Sequence, residues 1–200
     1  MKYMADVRRR FGNRSGFTLS DLRVFLQQKK IPPAYLYQLV HHLTARGELH
    51  RISKSVYSFS EELNVVGEAF HPSYHGLQDA LSLHGLWEQE TVPVILTPRK
   101  VRTGIRTFLG QNYLVRRISR KMFFGFRSIK CGNLWLTVSD IEKTLIDLAY
   151  FRQPLEKDAL AEIKARLDGT KLRKYLNQCD SKTRQRVEKW LQTGAKNKSG

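Results

Sequence analysis

The chain has 200 residues and a formal net charge of +17. With 41% hydrophobic and 10% aromatic residues it holds too much apolar material for a disordered chain, which combines high charge with low hydrophobicity. No apolar run approaches the ~20 residues that span a bilayer and no apolar leader segment follows Met1, so the sequence predicts a soluble, cytoplasmic protein.

The charge is unevenly placed. Residues 1–60 carry 11 basic and 3 acidic side chains, whereas residues 61–90 carry 6 acidic side chains and no basic one. Residues 91–130 then carry 10 basic side chains and no acidic one. Such a block cannot pair its charges internally, and a polyanion such as nucleic acid is the partner that it suits first. A hot habitat would raise Glu together with Lys and Arg, and Glu is not raised here. The acidic stretch marks a boundary between two predicted domains, 1–62 and 63–200.

In chain order, Tyr3, Met4 and Val7 suggest a short first helix over 2–10, ended by the break Gly12-Asn13-Arg14-Ser15-Gly16. Leu19, Leu22, Phe25 and Leu26 repeat at helical spacing and predict a second helix over 19–29. Ile31-Pro32-Pro33 ends it and opens a third, whose stripe is Leu36, Leu39, Val40 and Leu43, stopped by Gly47. Leu49–Ile52 and Val56–Phe59 are β-prone runs around Ser53-Lys54-Ser55, a short hairpin with cations at its tip. Three helices and a basic hairpin form the layout of a winged helix-turn-helix, in which the third helix enters the major groove. With the apolar stripe inward, Ala34, Tyr37, Gln38, His41 and Ala45 face outward. Gln38 can pair with adenine, Tyr37 and His41 can reach bases or phosphates, and Arg46, Arg51 and Lys54 can hold the backbone. The outward face is poor in Arg and Lys, and modules of this kind also dock other proteins.

Beyond Glu62 the pattern predicts a helix over 75–84 with Gly85 as its stop, then strands over 92–97, 112–118, 122–129 and 134–138. Ser139 is the expected N-cap of a helix carrying Leu145, Ile146, Leu148 and Ala149, with Glu142 completing a capping box. Further helices are expected over 155–167, 170–178 and 181–192. The predicted class is α+β: a winged helix-turn-helix, then an α+β domain with a small, mainly antiparallel sheet and C-terminal helices.

The runs "GELHRISKSVYSF", "HPSYHGLQDALSLHGLWEQ" and "LTVSDIEKTLIDLAYF" resemble the AbiEi family of antitoxins from type IV toxin–antitoxin systems, a similarity that covers about residues 17–152. The more specific parts are Ser73-Tyr74, Ala80-Leu81, His84-Gly85-Leu86, Glu142-Lys143 and Asp147. The resemblance implies a repressor of its own operon that binds inverted repeats in double-stranded DNA. It also implies a second domain that counteracts a nucleotidyltransferase-like toxin, without need of a stable complex. Some relatives are orphan regulators with no toxin beside them.

Chemistry beyond binding is thinly signalled. Glu142, Lys143 and Asp147 are better explained as a cap, a solvated cation and a residue one turn on than as catalytic acids and bases. Glu162-Ile163-Lys164 has nuclease-like spacing but sits in a helical stretch, so a nucleic-acid-processing enzyme is the rival reading. His41 and His42 diverge on a helix, and His71, His75 and His84 lack a cysteine pair, so no metal site is expected. Cys131 and Cys179, far apart in the sequence, suit a reducing compartment. No glycine-rich phosphate loop is present, and no cofactor is expected. In the basic block, Arg99, Lys100, Arg102 and Arg106 fall around a turn, while Arg116, Arg117, Arg120 and Lys121 lie on or between strands. These eight are expected to form a second phosphate-binding surface continuous with the winged helix. Phe123, Phe124 and Phe126 interleave with the cations, either as stacking platforms for single-stranded RNA or as core.

Overall fold

Helical periodicity is realised first in α1 (Met4–Phe11), α2 (Leu19–Gln28) and α3 (Ala34–Ala45) of the computed structural model, which describes residues 3–192. Thr18 starts α2 with a reciprocal cap: its hydroxyl accepts from the Asp21 N–H at 3.1 Å, and the Asp21 carboxylate accepts from the Thr18 N–H at 2.7 Å. After α3, Gly47 takes φ +67°, a left-handed turn that suits glycine and redirects the chain. Val7, Phe11, Leu22, Leu26, Leu36, Leu39 and Leu43 bury together with Phe17, Leu49 and Tyr57. Each such side chain stabilises by roughly 1.5–3 kcal/mol relative to exposure. The strands β1 (Phe17–Thr18), β2 (His50–Arg51) and β3 (Val56–Ser58) form an antiparallel sheet of order β1-β3-β2. β1 was not expected, because two residues carry no readable alternation.

The next element is also unannounced by periodicity: the 3-10 helix η1 (Leu63–Phe70), which buries Val65, Val66 and Phe70. It leads into a six-stranded sheet made of β4 (Tyr74–His75), β5 (Val94–Thr97), β6 (Gly104–Phe108), β7 (Gln111–Arg117), β8 (Phe126–Cys131) and β9 (Leu134–Ser139). Its order is β6-β7-β5-β4-β9-β8. The expectation of a small, mainly antiparallel sheet holds for most of the pairings but not for the size, which reaches six strands. The sheet is mixed, with β5–β7 and β4–β9 parallel and the other three pairings antiparallel. The predicted helix over 75–84 is shorter, α4 (Leu77–Leu83), because Tyr74 and His75 bridge β5 and β9 as a central strand. The predicted strand over 122–129 divides into a 3-10 turn, η2 (Arg120–Met122), and β8. The break falls at Gly125 (φ +71°), where a Cβ would meet Lys143 Cβ at 2.8 Å and Tyr175 Cε2 at 2.9 Å.

Side-chain alternation divides the sheet's two faces. Val94, Leu96 and Ile118 pack with Leu81 of α4 and with Leu145 and Leu148 of α5 (Ile141–Tyr150). Ile95, Tyr113, Val115 and Val138 pack on the other face with Val65, Val66 and Phe70 of η1. The chain ends in α6 (Lys157–Arg166), α7 (Gly169–Leu176) and α8 (Ser181–Gln192). Phe123, Phe124 and Phe126 are half-buried against the first of these clusters.

The start of α5 also corrects the sequence reading. Its N-cap is Asp140, whose carboxylate accepts from the Lys143 N–H at 2.9 Å. Ser139 lies one residue outside, with its hydroxyl 2.7 Å from that of Thr144. Glu142 does not close a capping box. It accepts from the Asp168 N–H at 2.8 Å and pairs with Lys171 at 3.0 Å. Lys143 is not solvated: both it and Asp147 are fully buried and ion-paired. The reason is that α4, α6, α7, α8 and β9 surround α5, leaving no helix face toward water.

Candidate nucleic-acid interface

Two groups of the predicted contact residues are brought together, in different parts of the molecule. The first is on α3 and the β2–β3 hairpin. Leu36, Leu39, Val40 and Leu43 are buried, which turns Ala34, Tyr37, Gln38, His41 and Ala45 outward, all exposed. Tyr37 is 61% exposed, unusual for so large an aromatic side chain. At the hairpin tip the Arg51 guanidinium donates to the carbonyls of Ser53 at 3.0 Å and Lys54 at 3.4 Å, which braces the turn and leaves Lys54 exposed. Arg46 is held differently, with Nε 2.8 Å from Glu48, which Arg8 also engages. Its charge is partly neutralised at home.

The second group gathers at one end of the six-stranded sheet, and the pairing explains why. Parallel register sets Thr97 of β5 beside Arg117 of β7, so both strands leave the sheet at the same end. Antiparallel β6 starts there too, with Gly104 opposite Val115. Arg99, Lys100 and Arg102 connect β5 to β6, and Arg120 and Lys121 follow β7, so all five collect at that end and are exposed. Alternation puts Arg106 and Arg117 on the face shared with Tyr113 and Val115. Arg106 donates to the Arg102 carbonyl at 2.7 Å and lies 5.0 Å from the Phe70 ring centre. Arg116 departs from the group, because it faces the opposite side and stacks 5.3 Å from the centre of the Phe151 ring. Arg127 and Lys130 ride on β8, the far edge of the sheet. The basic block is therefore divided rather than a single surface. Among the described residues, no ion pair involves any cation of 91–130.

A chain of contacts links the two regions through η1, a link that sequence reasoning missed. Ser15, between α1 and β1, donates to Glu68 at 2.5 Å, and His71 Nε2 lies 2.9 Å from the other Glu68 oxygen. Arg99 then donates to the His71 carbonyl at 3.3 Å and the Ala69 carbonyl at 3.4 Å. Burial works to raise the Glu68 carboxyl, but the hydrogen bonds from His71 and Ser15 hold it below its ordinary value. The hydrogen bond to Glu68 raises His71.

Lys143, Asp147, His75 and His84, weighed for catalysis or metal binding, have structural partners. Lys143 pairs with Asp147 and lies 4.9 Å from the Phe124 ring centre, and Asp147 accepts from the Tyr74 hydroxyl at 2.9 Å. Burial raises Asp147 despite Lys143, and burial together with Asp147 puts Tyr74 well above its ordinary value. His75 lies 2.7 Å from Asp79, and His84 lies 2.7 Å from the Ser139 carbonyl. Glu162 lines a 540 Å³ acidic groove with Glu88, Glu156 and Asp158, distant in sequence from the basic sheet end. Burial pushes up both the Cys131 and the Cys179 thiols. Among the described residues no helix is long and apolar enough to cross a membrane.

No family model matches this sequence, and no curated protein matches it. The fold has a counterpart among solved structures. The crystal structure of the RV2827C protein from Mycobacterium tuberculosis superposes with a TM-score of 0.61 at 14% identity, covering 90% of this chain and 72% of that one. At that identity the likeness is one of fold, and the chain is a mixed α/β protein similar in architecture to the mycobacterial one.

Proposed function

We propose that this protein is a DNA-binding transcriptional regulator of AbiEi type, with a winged helix-turn-helix over 1–62 that docks on duplex DNA. The observation carrying this reading is the outward face of α3: Tyr37, Gln38 and His41 are exposed in a row beside a basic hairpin tip. A helix packed through Leu36, Leu39 and Leu43 has no packing need for an exposed tyrosine and glutamine on its other side. A groove-reading role gives them one. Arg51 and Lys54 then hold phosphates, and the cations at the end of β5 and β7 add sequence-independent attraction. The AbiEi resemblance extends the proposal to residues 63–200, which counteract a nucleotidyltransferase-like toxin where one accompanies the regulator. Changing Arg51 and Lys54 to Ala in the full chain tests the docking. Affinity for unrelated duplexes falls by a similar factor, because phosphate contacts position without specifying. Unchanged affinity refutes it.

A further inference from the structure

The basic end of the sheet contains a cavity of about 320 Å³, lined by Pro72, Pro98, Arg99, Arg120 and Phe123. Its walls are apolar and its only charged side chains are the two arginines. Each wall is held by the fold. The Thr97 hydroxyl, at the end of β5, lies 3.0 Å from the Phe70 carbonyl and 2.9 Å from the Pro72 carbonyl, and it accepts from the Arg99 N–H at 3.2 Å. One side chain thus ties both proline segments to the strand. Opposite them, the η2 turn closes through Phe123 N–H to the Arg120 carbonyl at 3.2 Å. The Phe123 ring is packed on Phe126 at 4.7 Å and on Tyr74 at 5.5 Å between centres. Arg99 is aimed by its bonds to the carbonyls of Ala69 and His71. One cation held by backbone carbonyls and a second, exposed one, beside an aromatic ring and two prolines, match an anion joined to a flat apolar group.

We propose that this cavity binds one unpaired nucleotide, its base against Phe123 and the prolines and its phosphate between Arg99 and Arg120. The volume lies at the small end of ligand pockets, enough for one nucleotide unit and too small for a base pair. Stacking on an aromatic ring tolerates any base, and guanidinium groups grip phosphate through paired N–H donors. The nucleotide has two possible sources, a free mononucleotide or an unstacked residue of a single strand. The site shares its two arginines with the basic sheet end but contains no residue of α3 or the hairpin, so it does not rest on the groove-reading role proposed for that helix.

Calorimetric titration of the full chain with inorganic phosphate, adenosine, adenosine 5′-monophosphate and a single-stranded tetranucleotide tests the site. The monophosphate binds more tightly than phosphate or adenosine, since only it fills both halves. Arg120→Ala, at an exposed side chain, weakens the monophosphate by about tenfold. Phe123→Leu keeps the apolar bulk, removes the ring face and weakens it by about tenfold too. A tetranucleotide at least tenfold tighter than the monophosphate identifies a strand as the source, and equal affinities identify the free nucleotide. Both results support the site. It is overturned if the monophosphate binds no better than inorganic phosphate, or if Arg120→Ala titrates like the parent protein. Should Phe123→Leu melt early, Arg120→Ala alone decides. Monophosphate binding retained in the Arg51→Ala, Lys54→Ala variant, whose changes lie outside the cavity, separates this site from the duplex interface.

Discussion

If the sheet end and α3 engage one duplex, removing cations from the sheet end must flatten the salt dependence of duplex binding. Lys100, Arg102 and Arg117 are the appropriate positions, being exposed and outside any ion pair among the described residues. They also lie outside the Arg99–Arg120 cavity. The reach is short: the contacts from Ser15 through Glu68 and His71 to Arg99 bring the sheet end close beside the N-terminal helices. Each phosphate contact contributes about −0.9 to the slope of log affinity against log salt, so changing all three to Gln makes the slope about 2.7 shallower. Between 50 and 200 mM salt, a fourfold change, that difference amounts to about 40-fold in relative affinity, with the larger loss at low salt. Fluorescence anisotropy of full-length protein on a labelled duplex, across that range, measures both slopes. Parallel lines for the parent and triple variant refute a shared duplex interface and leave the sheet end to another ligand.

Two further outcomes concern the buried groups around α5. Lys143→Met leaves the Asp147 carboxylate fully buried with Tyr74 as its remaining donor and costs about 3–5 kcal/mol in denaturant unfolding. Lys143→Met with Asp147→Leu is less destabilised than the single change, because no unpaired charge stays inside; a larger loss in the double variant contradicts this. Burial pushes the Glu142 carboxyl upward, but the Asp168 N–H and Lys171 hold it below its ordinary 4.5. A depressed carboxyl stabilises above its unfolded value and loses that contribution as pH falls through its folded value. Melting curves of the parent and Glu142→Gln should therefore differ most above about pH 5 and converge as pH falls through the depressed folded value. A gap that stays constant with pH assigns the loss to packing instead.

Much of the architecture was legible because periodicity and punctuation agree. Leu36, Leu39, Val40 and Leu43 between Pro33 and Gly47 define α3, and its outward residues follow from geometry. What escaped was short or depended on partners. β1 and β4 have two residues each, and η1 buries its apolar residues without a helical stripe. The start of α5 was misread because Ser139 and Asp140 both suit an N-cap, and only packing decides between them. Lys143 reads as surface in any sequence, and its burial follows from helices on every side of α5. The gathering of Arg99, Arg102, Arg117 and Arg120 depends on the parallel pairing of β5 with β7, which no local pattern encodes. The same pairing sends Arg116 to the opposite face, away from the others.

Selection of preferred duplexes from a random pool by the full-length protein, repeated with Gln38→Ala, asks whether α3 reads base edges. The expected result is a preferred sequence for the parent protein, with discrimination at one position weakened by about 1–3 kcal/mol in the variant, as for loss of a bidentate contact to adenine. Recovery of no preferred sequence, or of the same preference at undiminished discrimination in Gln38→Ala together with Tyr37→Ala, would contradict a groove-reading role for this helix.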